Sequence, residues 1–163
     1  MFMTPKEEEF LFKHLNNNQT VLEYGSGTST IQISKVVKKL ISVEHDKEWY
    51  TKILPQLPNN VTYLFHPPDF PYDNWHDGTF TEFANYIMSP LDLGPYDVII
   101  IDGRARVDCC IQSYNHGSNK DTIFFVHDFD YQTKGTGREH YIKMLDYLDI
   151  IDNADLLFRF KKK

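Results

Sequence analysis

T-V-L-E-Y-G-S-G-T-S-T, residues 20–30, decides how the rest of the chain is read. The apolar pair Val21 and Leu22 runs through Glu23 and Tyr24 into two glycines one residue apart, Gly25 and Gly27, and then into hydroxyl residues and an amphipathic run. That order is a strand, a tight turn and a helix start. The glycines permit positive φ and let the backbone approach a ligand, and a helix opening near Thr28 presents unpaired N–H groups above the strand. A nucleotide-like ligand is the natural occupant, although any strand-to-helix turn can carry glycines.

Outward from this stretch, strands and helices alternate. Thr4, Pro5, Glu7 and Glu8 read as a helix start, with Phe10, Leu11, His14 and Leu15 on one face and no chemistry assigned. Downstream, Ile33, Val36, Val37 and Leu40 follow helical spacing. A strand I-S-V-E ends at Glu44, and Trp49, Ile53 and Leu54 suggest a helix stopped by Pro55 and Pro58. V-T-Y-L-F-H is a third strand. Residues 67–78, rich in Pro, Asp and aromatics, form a long irregular loop of the kind that carries function. Residues 79–88 suit a helix with Phe83 and Ile87 inward. Y-D-V-I-I-I reads as a central strand buried on both faces. Val107, Cys110, Ile111 and Tyr114 mark the next helix, T-I-F-F-V-H-D-F the fifth strand, and Tyr141, Met144, Leu145 and Leu148 a last helix. L-D-I-I-D-N-A and L-L-F-R-F-K then make two strands around a tight turn. Residues 1–163 are expected to form a single α/β domain, a layered sheet closed by a hairpin.

Composition narrows the function. With 163 residues, 12 Phe and 10 Tyr, the chain can bury a core. A net charge of −6 argues against broad contact with nucleic acid. The two cysteines, Cys109 and Cys110, are adjacent, which disfavours an ordinary bridge between them. No apolar run approaches membrane-spanning length, and the N-terminus lacks a basic segment leading into an apolar one. A soluble, cytoplasmic protein is expected.

In an open parallel sheet, ligands bind outside the carboxyl ends of the strands. The unusual polar residues all fall at such ends: Glu23 with the glycines, Glu44, Asp69, Asp102, and His127 with Asp128. Glu44 lies about twenty residues beyond the glycine turn, where a carboxylate can take both ribose hydroxyls. A nicotinamide cofactor would want a small third residue in G-x-G-x-x-G, and Thr30 stands there instead.

The Glu23–Gly27 pattern is the E-x-G-x-G signature, and along nearly its whole length the chain resembles the class I S-adenosylmethionine-dependent methyltransferases. The resemblance implies a Rossmann-like, mostly parallel seven-stranded sheet with helices on both faces and a C-terminal antiparallel β-hairpin. It further implies that Glu23, Tyr24, Gly25, Ser26 and Gly27 cradle the amino-acid part of S-adenosylmethionine, that Glu44 holds the ribose, and that His45 flanks the adenine. Asp69 is the counterpart of the adenine-edge acid, in a proline-rich setting that blurs the match.

I-D-G after the fourth strand and V-H-D-F after the fifth look like the small-molecule and sugar O-methyltransferases. In the related pattern acids at these places bind a divalent cation, so Asp102, His127 and Asp128 could hold one. Mg²⁺ prefers oxygen ligands, whereas Mn²⁺ or iron would better tolerate the imidazole. Without a metal, His127 is the candidate general base, oriented by Asp102 or Asp128. Arg104 and Arg106, and Arg138 beside His140 and Tyr141, could pair with a carboxylate or phosphate on the acceptor. Tyr72 and Trp75 could stack on a sugar or base. The expected reaction is O-methylation of a small molecule or sugar. RNA methylation and a cofactor-binding module without catalysis are the alternatives, and oligomeric state is left open, a homodimer included.

Overall fold

In chain order the elements are α1 (Pro5–Phe12), β1 (Thr20–Tyr24), α2 (Thr28–Ser34), β2 (Lys39–Glu44), α3 (Lys47–Ile53), β3 (Val61–Phe65), α4 (Phe80–Met88), β4 (Tyr96–Ile101), α5 (Arg106–Gln112), β5 (Ser118–Val126), a 3₁₀ segment (Glu139–Asp146), β6 (Leu148–Ala154) and β7 (Leu157–Lys162). These come from a computed structural model, which describes residues 3–73 and 76–163. One seven-stranded sheet runs β3-β2-β1-β4-β5-β7-β6. The first five of these strands are parallel, while β7 lies antiparallel to both β5 and β6.

Strand periodicity splits the core between the two faces of the sheet. On β4, Ile99 and Ile101 join Leu22, Tyr24 and Phe124 beneath α4 and α5, whereas Val98 and Ile100 join Val21 and Phe125 beneath α1 and α2. Both sets are nearly fully enclosed, as expected of a parallel strand covered on two sides. Truncating Ile99 or Ile100 to alanine would cost about 2–5 kcal/mol. Helix α1 starts as its sequence suggests. Thr4 accepts from the Glu7 N–H, and the Glu7 carboxylate accepts from Thr4 N at 2.7 Å, a reciprocal cap.

Three boundaries differ from the periodicity. Helix α2 stops at Ser34, Val36 is exposed, and Leu40 belongs to β2. The cause is competition from the sheet: Lys38 N and Lys39 N both bond to Gln19 O, and β2 then pairs Leu40 with Val21. The expected last helix is a 3₁₀ segment, and Leu148 opens β6. Helix α1 ends at Phe12, leaving His14 and Leu15 in the following turn. No helix among the described residues is long and apolar enough to cross a membrane.

Candidate active site

The loops after β1 and β4 touch, and this contact creates the site. Gly25 has φ +86°, and a Cβ there would lie 2.6 Å from Gly103 Cα and 2.7 Å from Asp102 O. A Cβ on Gly103 would run into the Tyr86 hydroxyl. Both positions require glycine, and their contact sets Asp102 beside the glycine turn. Gly27 is different. Its φ of −173° suits any residue, and a Cβ would come no nearer than 3.7 Å to Ser29 Oγ and 3.9 Å to Trp49 Nε1. The space left by its missing side chain opens into a cavity of about 330 Å³ bounded by Met3, Glu8, Ser26, Ser29, Trp49 and Asp102. A larger cleft of about 780 Å³, lined by Glu44, His45, Asp102, Arg104, Asp128 and Arg138, shares Gly25, Ser26, Trp49 and Asp102 with the first. The two lie side by side along these residues.

Glu44 ends β2 inside this cleft. Its Oε2 accepts from Ser26 N at 3.0 Å and Ser26 Oγ at 2.5 Å, and its Oε1 accepts from His45 N and Asp46 N, each at 2.8 Å. Burial works against its charge, but the bonds from His45, Ser26 and Asp46 outweigh burial and hold the carboxyl below its usual value. The Ser26 hydroxyl also meets Tyr63 Oη at 2.6 Å. The His45 ring packs edge-on against Phe83 and Tyr86.

The remaining E-x-G-x-G residues require correction. Glu23 does not face the cavity: it is 1% exposed, and its oxygens accept from Ser29 Oγ at 3.0 Å and from Thr30 Oγ1 and Ser42 Oγ at 2.7 Å. Thr30 Oγ1 in turn accepts from Gly27 N at 2.9 Å. Glu23 therefore shapes the turn from beneath. Burial pushes its carboxyl up to about 7 despite those three bonds. Tyr24 points to the opposite face, donating to Ile87 O at 2.7 Å in the core, so only its backbone adjoins the site. Asp69 is also elsewhere, its carboxylate accepting from Asn85 N and Nδ2 on α4.

His127 is 1% exposed and lines neither cavity. Its Nδ1 lies 2.8 Å from Asp102 Oδ1 and its Nε2 3.2 Å from Glu7 Oε2. A ring between two carboxylates is best satisfied with a hydrogen on each nitrogen. Burial lowers the pKa of His127, but Asp102, Asp128 and Glu7 together carry it above the usual value. With a hydrogen on each nitrogen the ring would have no lone pair with which to take a proton from an incoming hydroxyl. Asp102, which borders both cavities, is the exposed end of the pair.

The donor atoms of Asp102, His127 and Asp128 lie within 4.8 Å of one another, close enough to share one ion. A cation is already there. Arg106, 13% exposed, places Nη1 3.3 Å from Asp128 Oδ2 and Nη2 3.7 Å from Asp102 Oδ1, and Nη1 also donates to His127 O at 2.5 Å. Burial opposes its charge, but Tyr141, Asp102, Asp77 and Asp128 raise its pKa. A divalent ion would have to displace this guanidinium and deprotonate the imidazole, so the cluster fits a metal poorly.

Arg104 and Arg138 line the larger cleft. Arg138 Nη2 is 3.5 Å from Asp128 Oδ2, and the Arg104 guanidinium has no ion pair among the described residues. Tyr72 instead borders an adjoining cavity of about 660 Å³ with Asp77, Val107 and His140. Trp75 lies outside the described residues. Sequence reasoning missed Glu7, Glu8, Trp49 and Asp77. Only Trp49, an aromatic five residues past Glu44, had a local signal; its Nε1 donates to Ser26 O at 2.6 Å and holds the glycine turn.

The sheet order, the closing antiparallel hairpin and the carboxyl-edge cleft make a Rossmann-like fold, which the chain shares with solved methyltransferases. The chain is similar over its full length to a methyltransferase-like protein from Silicibacter pomeroyi, at 20% identity and a TM-score of 0.79, covering 88% of that chain. It is also similar to the tRNA (m1A58) methyltransferase TrmI of Aquifex aeolicus, at 14% identity and a TM-score of 0.64, covering 99% of this chain and 70% of that one. SMU.1697c of Streptococcus mutans, solved in complex with SAH, matches at 13% identity and a TM-score of 0.58 over 100% of both chains. No protein-family model and no curated protein matches the chain.

Proposed function

We propose that this protein transfers a methyl group from S-adenosylmethionine to a hydroxyl of a small, negatively charged acceptor. Gly27 carries the reading: among the described residues neither strain nor a protein neighbour demands a glycine there, and a ligand in the cavity beside it would use the space. The structure of SMU.1697c with SAH supports the choice of ligand. Bound there, the donor would supply an electrophilic methyl on a sulfonium. The turn 25–29 would hold its amino-acid end, Glu44 its ribose after Ser26 Oγ turns away, and His45 its base.

Asp102 stands where the two cavities lie side by side. It would accept the proton of the attacking hydroxyl while His127 and Arg106 hold it in place. Arg104 and Arg138 at the same cleft suit a carboxylate or phosphate on the acceptor. Calorimetry with SAH and a radiolabelled methyl-transfer screen over hydroxy acids, sugar phosphates, catechols and RNA test the reading. Absence of SAH binding sinks it, transfer to RNA alone replaces the acceptor, and binding without any transfer leaves a non-catalytic module.

A further inference from the structure

Glu23, assigned by resemblance to the donor's amino-acid end, spends its carboxylate on Ser29, Thr30 and Ser42 beneath the turn. Another anion must meet the ammonium group. We propose that α1 forms a wall of the donor site, with Glu8 accepting the donor's α-ammonium and Glu7 positioning the helix; this rests on the donor assignment above. Glu8 borders the 330 Å³ cavity opposite the glycine turn, and among the described residues its carboxylate has no hydrogen bond or ion pair. Among the described residues, the only other acid lining that cavity is Asp102, which His127 and Arg106 already engage.

Adjacent residues on a helix point about 100° apart, so α1 can turn Glu7 inward while Glu8 faces the cavity. Glu7 is 2% exposed. Its Oε1 accepts from Leu156 N at 3.0 Å, and its Oε2 faces His127 Nε2 at 3.2 Å. Thr4 Oγ1 and Lys6 Nζ both bond Asp155 at 2.9 Å. The first turn of α1 is thereby fixed to the β6–β7 turn and to His127. The backbone that carries Glu8 is held in place before any ligand arrives, and ordering costs on binding fall.

The test is calorimetry with SAH and with 5′-methylthioadenosine, which keeps the adenosine and thioether but lacks the amino-acid end. Glu8→Gln, a change at a partly exposed position, should weaken SAH at least about tenfold, the scale of a charged hydrogen bond, and alter methylthioadenosine less than about twofold. Glu7→Gln, with its thermal transition recorded alongside, should weaken SAH severalfold and again spare methylthioadenosine. Wild-type affinity for SAH in Glu8→Gln, or equal loss of both probes in either variant, overturns the proposal. Wild-type protein that binds neither probe is a separate result and removes the donor assignment itself.

Discussion

Gly25 and Gly27 stand two residues apart under different constraints, and substitution separates them. A Cβ at Gly25 meets backbone at 2.6 Å with φ at +86°, so Gly25→Ala should cost about 2–4 kcal/mol in urea unfolding. Gly27→Ala should stay within about 1 kcal/mol of wild type yet lose SAH affinity by about tenfold or more, because the new methyl stands in the cavity. A Gly27→Ala variant that binds SAH normally would remove the observation on which the functional reading rests. The glycine pair and Glu44 were legible because their pattern is local. Strand alternation already forbids Glu23 and Tyr24 from facing one ligand together, a constraint that the motif resemblance passes over. Glu23 also makes a pH prediction. Its folded carboxyl, at about 7 against 4.5, binds more protons than the unfolded one. Its contribution is therefore complete below pH 4.5 and lost as pH rises through about 7. The stability of Glu23→Gln minus that of wild type should grow by roughly 2–3 kcal/mol between pH 5 and pH 8. A difference that does not change with pH would mean that Glu23 titrates normally.

The loop before α4 caps α5, and α5 in turn caps α4. Ala105, the residue before α5, has φ 49° and no capping side chain. Asp77 supplies the cap from a distant loop, its carbonyl accepting from Ala105 N at 2.7 Å and its carboxylate from Arg106 N at 2.8 Å. Asp108 returns the bond, accepting from Phe80 N at 2.7 Å as α4 begins. Asp77→Ala removes a cap and one of the carboxylates around the buried Arg106, so about 1–3 kcal/mol should be lost, with a lowered kcat because Arg106 would orient the proton acceptor Asp102. Asp108→Ala should cost about 1 kcal/mol and leave transfer unchanged; urea midpoints and initial rates on both variants check the contrast. The loop at 67–78 announced itself by length and composition. That its last acid caps a helix some thirty residues on has no local signature. The apolar run of β4 was readable for the opposite reason, since burial on both faces is written into consecutive residues. The spacing of Ile33, Val36, Val37 and Leu40 misled because the sheet took Leu40 from the helix.

Across the molecule, the two ends of the chain meet beside the site. Glu7 and Thr4 at the start of α1 hold Leu156 and Asp155 of the last hairpin, and the same segment borders the 330 Å³ cavity through Met3 and Glu8. These contacts span about 150 residues of sequence, so neither the pairing nor the role of α1 could be read from periodicity, whereas the alternation of strands and helices set the architecture. A ligand filling this cavity would touch α1, the turn after β1 and the loop after β4 together, and its full affinity would need all three in place. Such linkage adds about 2.7 kcal/mol at a hundredfold excess over Kd. For a chain of this size that is roughly 5–10 °C in Tm. SAH should deliver that shift, and 5′-methylthioadenosine, which lacks the amino-acid end that would meet Glu8, should deliver less at the same concentration because its Kd is higher. Hydrogen exchange distinguishes the cause: SAH should slow exchange in residues 4–12 and methylthioadenosine should not, while equal protection of α1 by both would show that the helix is already locked to the fold by Glu7 alone.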